Sequence, residues 1–572
     1  MPDSLRRREL WLSKRSGLPP LLGWAGLIVV AVITGYPLLK LFLRMVQFNG
    51  RLSLEGFRVA FTASRYLIPF RNTVVVGVST TLISICIGVP LALIAGRMDI
   101  PGGKFLRVIL MLPYLIPGFV FAFAWREMIG PVGYLNRFYM ALSGSKEPLF
   151  YIYGPFGVIL VLAMHGYPMV YITVVRALQN MNTSFEEAAE VAGARGFTML
   201  RTVTLPLMLP AILGAALLVF ASSIANFGVA AVLGIPANFY VLTTQIYATI
   251  LSYGVKNNIT IASCLSVYLI SAGLLFLWLQ ERIIGRRRHV VVTGKGGRRD
   301  LLPGGSHSWL YTLCLGLFGV AMVVLPLAAI LLSSFIRAYG LAPSLKNLTV
   351  NHYASLLTDT LAVTALKNSL LFAVVTATLC VAIGLLIVLI TERSSMRGRR
   401  FLDFLATAPR SIPGTIIALA FIIAWIRPIP ILGFSIYNTA VIMILAYMSR
   451  FLGYAVRTLT AALKQIALSL EEACLISGGK NRHRVFDVLL PLSREGIASG
   501  WLLIFIPTLN ELTISILLYS SGKETIGVAV FSLLQEGLIG RASAFSIVII
   551  ITVLLGDRLL FLVSRGKRSL LG

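Results

Sequence analysis

Charge is scarce in this 572-residue chain: Asp, Glu, Lys and Arg together make up 13% of it. Soluble globular domains carry about 25%, so a soluble enzyme is excluded. With 57% hydrophobic residues, a disordered chain is excluded as well. Acidic residues are rarest, 22 against 50 basic ones, for a formal net charge of +28. Such an excess can mark a nucleic-acid binder. Here the basic residues are spread between apolar runs that leave no separate domain to carry a binding face, so no nucleic-acid partner is expected. The five cysteines (Cys86, Cys264, Cys314, Cys380, Cys474) show neither a metal-binding C-x-x-C spacing nor a disulfide framework, and are expected to be small buried hydrophobes. No G-x-x-x-x-G-K-[ST] loop exists either. Gly294-Lys295 and Gly522-Lys523 lack the upstream Gly and the following Ser or Thr. The chain thus has no ordinary means of binding and hydrolysing a nucleotide. No Ser/His/Asp set or carboxylate pair points to an enzyme, so no catalytic residue, metal site or resident cofactor is expected.

What is present is apolar length. Helices that cross a hydrocarbon core of about 30 Å need about 20 apolar residues. Twelve such segments can be drawn, near 21–45, 73–96, 105–129, 155–178, 205–233, 258–280, 308–335, 368–391, 403–426, 436–457, 498–520 and 543–563. The fold class is an all-α polytopic membrane protein with about twelve transmembrane helices. The first segment follows Arg6, Arg7, Arg8, Lys14 and Arg15 but is too long for a signal-peptide core, so it reads as an uncleaved span. Basic residues collect in alternate loops: the N-terminal cluster, Arg97/Lys104/Arg107, Arg286 to Arg288 with Arg298 and Arg299, Arg393 to Arg400, and Arg565/Lys567/Arg568. That side is expected to be cytoplasmic. Both termini then lie inside a multi-pass protein of the cell inner (plasma) membrane, with lipid around it.

The chain repeats itself. Arg71-Asn72-Thr73 and Ile116-Pro117-Gly118 return as Lys367-Asn368-Ser369 and Ile412-Pro413-Gly414, at an offset of 296 residues. The stretches 184–207 and 469–492 match at an offset of 285, the slip reflecting a longer loop near 130–154 in the first copy. The organisation expected is a first half of six spans (1–280), a basic, Gly-rich flexible cytoplasmic linker (281–307), and a second half of six spans (308–572). An even number of spans per half makes the two copies parallel, related by an axis along the membrane normal.

The second matched stretch carries the functional argument. Each copy begins Ser-x-x-Glu (Ser184 with Glu187, Ser469 with Glu472), the pattern of a capping box at a helix start. Six residues after the Glu stands a Gly, Gly193 or Gly478, able to turn the chain in a left-handed conformation. A short helical stretch follows, then Leu205-Pro206 or Leu490-Pro491, proline suiting the first turn of the next span. Two rigid elbows at the cytoplasmic face read as docking elements for a partner with two equivalent grooves.

These elbows resemble the EAA motif of ABC-transporter permeases: Glu187-Ala188-Ala189 with Gly193, Leu205 and Pro206, and Glu472-Ala473-Cys474 with Gly478, Leu490 and Pro491. Cys474 for the second Ala is a small-for-small departure. Leu112 to Gly118, Ala124-Trp125, Gly130 to Gly133, Asn226-Phe227-Gly228, Leu242 to Tyr247, Glu511-Leu512 and Ile516 to Leu518 look similar to ferric-iron-type permeases. That family often has an acidic residue where Asn226 stands. The resemblance implies two fused permease halves in a type I importer arrangement. It implies a binding protein outside, an ABC ATPase homodimer at the cytoplasmic face that uses ATP and Mg, and a role for the elbows as coupling helices; the cargo implied is ferric iron.

Charges inside spans are costly, about 2.5–3.5 kcal/mol at the bilayer centre. Glu511 is read as a candidate substrate-path residue with Arg410 as its ion-pair partner, and Asn226 as a further path residue; an interhelical polar clamp is the alternative. His165 and Arg450 occupy matching places in the repeat, and Arg126 and Glu127 read as anchors near the outside end of their span or as a contact for an outside partner. Tyr114, Tyr167 and Tyr171 are weaker oxygen-ligand candidates. The same machinery importing thiamine, polyamine or phosphonate is an alternative, and an ion-coupled secondary transporter is an alternative of another class.

Overall fold

The computed structural model describes residues 20–563, apart from 286–301, 304, 306–307, 429–432 and the single positions 183, 253, 342 and 395. The N-terminal basic cluster, Arg286 to Arg288, Arg298, Arg299 and the basic tail lie outside the described residues. Ten helices among the described residues are long and apolar enough to cross a membrane, and two bent helix pairs raise the number to twelve if each is one span. Outward faces are apolar, with Leu82, Leu317 and Leu555 exposed, whereas small polar side chains such as Thr80, Ser84, Thr376 and Ser546 are buried. This is the arrangement expected where lipid replaces water around a bundle.

The bent pairs are Gly103–Leu115 with Gly118–Ser143, at 108°, and Arg399–Ser411 with Gly414–Trp425, at 116°. Their cause is the Ile-Pro-Gly triplet. A residue before proline is pushed out of the helical region, and Ile116 (ψ 132°) and Ile412 (ψ 130°) are extended. The helix therefore stops and restarts on the glycine.

Within each half, the second and fourth spans meet across small residues. A Cβ on Gly88, in Ser64–Ala95, would press on Val170 and the Tyr167 carbonyl of Pro155–Gln179. A Cβ on Gly384, in Thr360–Arg393, would press on Ala455 of Ala440–Lys464. The other repeated motif also has a task. Thr73 Oγ1 accepts the Leu242 N–H (2.7 Å) and Ser369 Oγ accepts the Ile526 N–H (2.8 Å), so a neighbouring helix caps the starts of Leu242–Ile250 and Ile526–Gln535. Asn72 and Asn368 donate alongside, to the Tyr240 and Glu524 carbonyls.

Each half lends its first span to the other. Tyr36, in Gly23–Met45, packs its ring 5.1 Å from Trp425 of the second half. Ser333, in Ser308–Phe335, donates to Glu127 Oε2 of the first half at 2.7 Å. Glu127 is therefore buried between the halves, 2% exposed, and is not a surface anchor. That hydroxyl satisfies Oε2, while Oε1 is buried with no hydrogen-bond partner among the described residues. The sixth span runs on to Gly285, and Leu302–Pro303 pairs in parallel with Met98–Asp99. One other expectation needs correction. Only Cys264 and Cys380 are buried; Cys86 and Cys314 are exposed on an apolar surface, where a thiol costs little, and Cys474 is half-buried.

Candidate coupling loops and transport path

The two elbows have the same construction. Helices Ser184–Val191 and Leu468–Ile476 end on glycines with positive φ, Gly193 at 88° and Gly478 at 83°. Behind each, a 6→1 hydrogen bond closes the turn: Ala194 N–H to the Ala189 carbonyl (2.8 Å) and Gly479 N–H to the Cys474 carbonyl (2.9 Å). The capping box does not form in the second elbow, where Ala467 precedes the helix without a side-chain cap and Ser469 is already inside it. In the first, Ser184 is itself the first helical residue. Nor do Leu205-Pro206 and Leu490-Pro491 begin new helices. Gly196–Ile224 and Asn481–Leu509 are continuous, each with a π-turn just before the proline (Leu200–Thr204 and Arg484–Leu489). Proline lacks an N–H and crowds the carbonyl four residues back. The wider turn absorbs this, with Leu205 N–H reaching the Leu200 carbonyl and Leu490 N–H the Val485 carbonyl.

The motif residues largely face outward: Glu187, Ala188, Gly193, Pro206, Ala473, Gly478 and Pro491 are exposed, and Ala189, Leu205, Glu472 and Leu490 half-buried. The preceding acids, absent from the sequence reading, turn inward. Glu186 and Glu471 are 3% and 2% exposed. Arg97 Nη2 lies 2.6 Å from Glu186 Oε2, and Arg393 Nε lies 2.7 Å from Glu471 Oε1. The signal was in the repeat, since Arg97 and Arg393 share the first offset and Glu186 and Glu471 the second.

Deeper in the bundle, the candidate path residues gather at the two Ile-Pro-Gly breaks. Asn226 Oδ1 accepts the Val229 N–H (2.9 Å), and Glu511 Oε1 accepts the Ile514 N–H (2.9 Å), so each steadies a helix break at the same place in its half. A Cβ on Gly118 would lie 3.2 Å from Asn226 Nδ2 and 3.9 Å from His165 Nε2. A Cβ on Gly414 would collide with the Arg450 guanidinium. His165 Nε2 donates to the Ile116 carbonyl (3.1 Å), whereas its counterpart Arg450 reaches Glu511 Oε1 at 3.4 Å. The partner of Glu511 is thus Arg450 and not Arg410. Arg410 stands at the outer edge of the break, exposed, with its guanidinium 5.5 Å from the Tyr454 ring centre. Tyr167 donates its hydroxyl to the Leu110 carbonyl (2.8 Å). Among the described residues, no group of three or more His, Cys, Asp or Glu is placed to hold a metal ion.

The family model of the binding-protein-dependent transport system inner membrane component matches the chain twice, over residues 88–289 and 381–569. The chain belongs to this family. Each matched stretch contains one elbow and one break-site pair, so the permease is two family domains fused in one polypeptide. The chain is 27% identical to the ferric transport system permease protein FbpB of Actinobacillus pleuropneumoniae, over 91% of this chain and 74% of that one. It is 28% identical to the putative ferric transport system permease protein FbpB 1 of Haemophilus influenzae, over 85% and 76%. It is 24% identical to the Fe(3+)-transport system permease protein FbpB 2 of Haemophilus influenzae, over 92% and 96%. These relatives match both halves, and the permease is an ABC importer membrane component that works with a binding protein.

Proposed function

We propose that this permease is the translocation subunit of a ferric-iron importer, and that its two elbows are the docking sites of an ABC ATPase homodimer. The observation carrying the docking reading is that the elbows expose matching apolar side chains. Phe185 and Leu470 stand at the same repeat position, as do Val191 and Ile476, which are 91% and 82% exposed. Bilayer stability does not require such side chains, and two equivalent knobs fit a partner with two equivalent grooves. In this reading the elbow end and both termini are cytoplasmic, the binding protein delivers cargo at the other end, and ATP and Mg are used by the ATPases. Their closure on ATP moves the elbows, and the halves rock to open the path alternately.

Asn226, Glu511 with Arg450, and Arg410 are the residues assigned to the path. The three ferric permease relatives support ferric iron as cargo. Uptake of labelled ferric iron, thiamine, putrescine and a phosphonate by cells carrying the permease with its ATPase and binding protein tests the assignment. ATP-dependent accumulation of iron alone is expected, and accumulation of another solute instead would overturn the cargo reading.

A further inference from the structure

We infer that Glu186 and Glu471 are hubs through which each elbow moves the bundle, distinct from the outward motif acids Glu187 and Glu472. The inference rests on the elbows being ATPase docking sites. Each buried carboxylate joins three elements. Glu186 belongs to the elbow helix Ser184–Val191; Arg97 lies just past the end of the second span, Ser64–Ala95; Thr204 belongs to the helix returning into the bundle, Gly196–Ile224. Arg97 pairs with Oε2 at 2.6 Å, and Thr204 Oγ1 donates to Oε1 at 2.8 Å.

The second half repeats the construction with a different third member. Arg393, the last residue of Thr360–Arg393, pairs with Glu471 Oε1 and also donates to the Leu463 carbonyl at 3.2 Å. Arg484, in Asn481–Leu509, is 1% exposed and lies 3.8 Å from Glu471 Oε2. Glu471 thus sits between two guanidiniums.

A buried ion pair stabilises less than apolar packing of the same volume, because both charges lose water. What it supplies is a fixed position, since breaking it strands a charge. An elbow held only by apolar contacts could slide when pushed. One held by a short, buried, charge-assisted contact transfers its displacement to the end of the second span and to the returning helix together. The same contact at both elbows lets the two halves respond alike.

The test uses the full-length permease in lipid nanodiscs, with its native cysteines replaced and nitroxide labels at positions 191 and 105, or 476 and 401. Position 105 reports on the bundle because Arg107 on the same helix donates to the Ala95 carbonyl at 2.7 Å. Glu186→Gln is expected to broaden the 191–105 distance distribution and leave 476–401 unchanged, and Glu471→Gln to do the reverse. With the ATPase bound, each is expected to lower uptake by about tenfold or more while ATP hydrolysis continues. Glu186→Asp should recover part of the uptake, and Thr204→Val should lose less than Glu186→Gln. Unchanged distance distributions with uptake near that of the unmodified permease would overturn the inference. If the ATPase never associates with the unmodified permease, the docking reading fails, and the distance measurement still judges the hubs.

Discussion

At the scale of single residues, the informative positions are charges where the bilayer makes charge expensive. Glu511 stood out in the sequence because an acid interrupts an apolar run, but its partner did not. Arg410 and Arg450 were both available, and only the fold brings the Arg450 guanidinium to 3.4 Å from the carboxylate. The repeat held a clue, because His165 and Asn226 are neighbours around Gly118 and their counterparts are Arg450 and Glu511. Glu511→Ala leaves a half-buried arginine and the Ile514 N–H without their acceptor and is expected to cost about 1–3 kcal/mol, read as a lower melting temperature in detergent. Replacing both members by apolar residues, Arg450→Met with Glu511→Leu, should recover most of that stability. Uptake that stays lost in the stable double variant places the pair on the path, and uptake that returns makes it a structural clamp. Ser333→Ala removes the hydroxyl that donates to Glu127 across the halves, with an expected loss of about 1–3 kcal/mol in the same melting experiment.

At the scale of elements, the elbows were legible in outline and not in detail. The glycine turns follow from position and residue type, and Gly193 and Gly478 take the left-handed conformation that glycine permits. The capping box was misread because Ser at the start of a helix and Ser one residue inside it look alike in a sequence. The leucine-proline pairs were misread because a π-turn can carry a helix past a proline, and nothing in residue order marks that turn. The Ile-Pro-Gly triplets were legible as a repeat, but a break bent by more than 100° depends on packing. Gly193→Pro and Gly478→Pro force φ near −65° where 88° and 83° are required. Both are expected to abolish uptake and ATPase coupling while membrane insertion, followed by the amount of protein in the membrane fraction, is unchanged. Substitution by alanine at either glycine is expected to cost only about 1–2 kcal/mol and to leave partial uptake.

At the scale of the whole molecule, twelve apolar segments and a parallel repeat were enough to give the architecture. The exchange of first spans was invisible, because apolar helices carry no label for which half they face. The contacts of Tyr36 with Trp425 and Ser333 with Glu127 make each half a composite of both. Halves produced as separate chains, 1–290 and 291–572, are therefore expected to co-purify, and a half that purifies alone as a folded protein would contradict the exchange.

Uptake into proteoliposomes measures most directly whether an outside motor drives this permease through its elbows. With binding protein and cargo outside and the ATPase docked at the elbows, accumulation is expected to require internal ATP and to stop when Gly193 or Gly478 becomes proline. Uphill uptake by the permease alone, driven by a proton or sodium gradient with no ATPase present, would contradict drive by an outside motor.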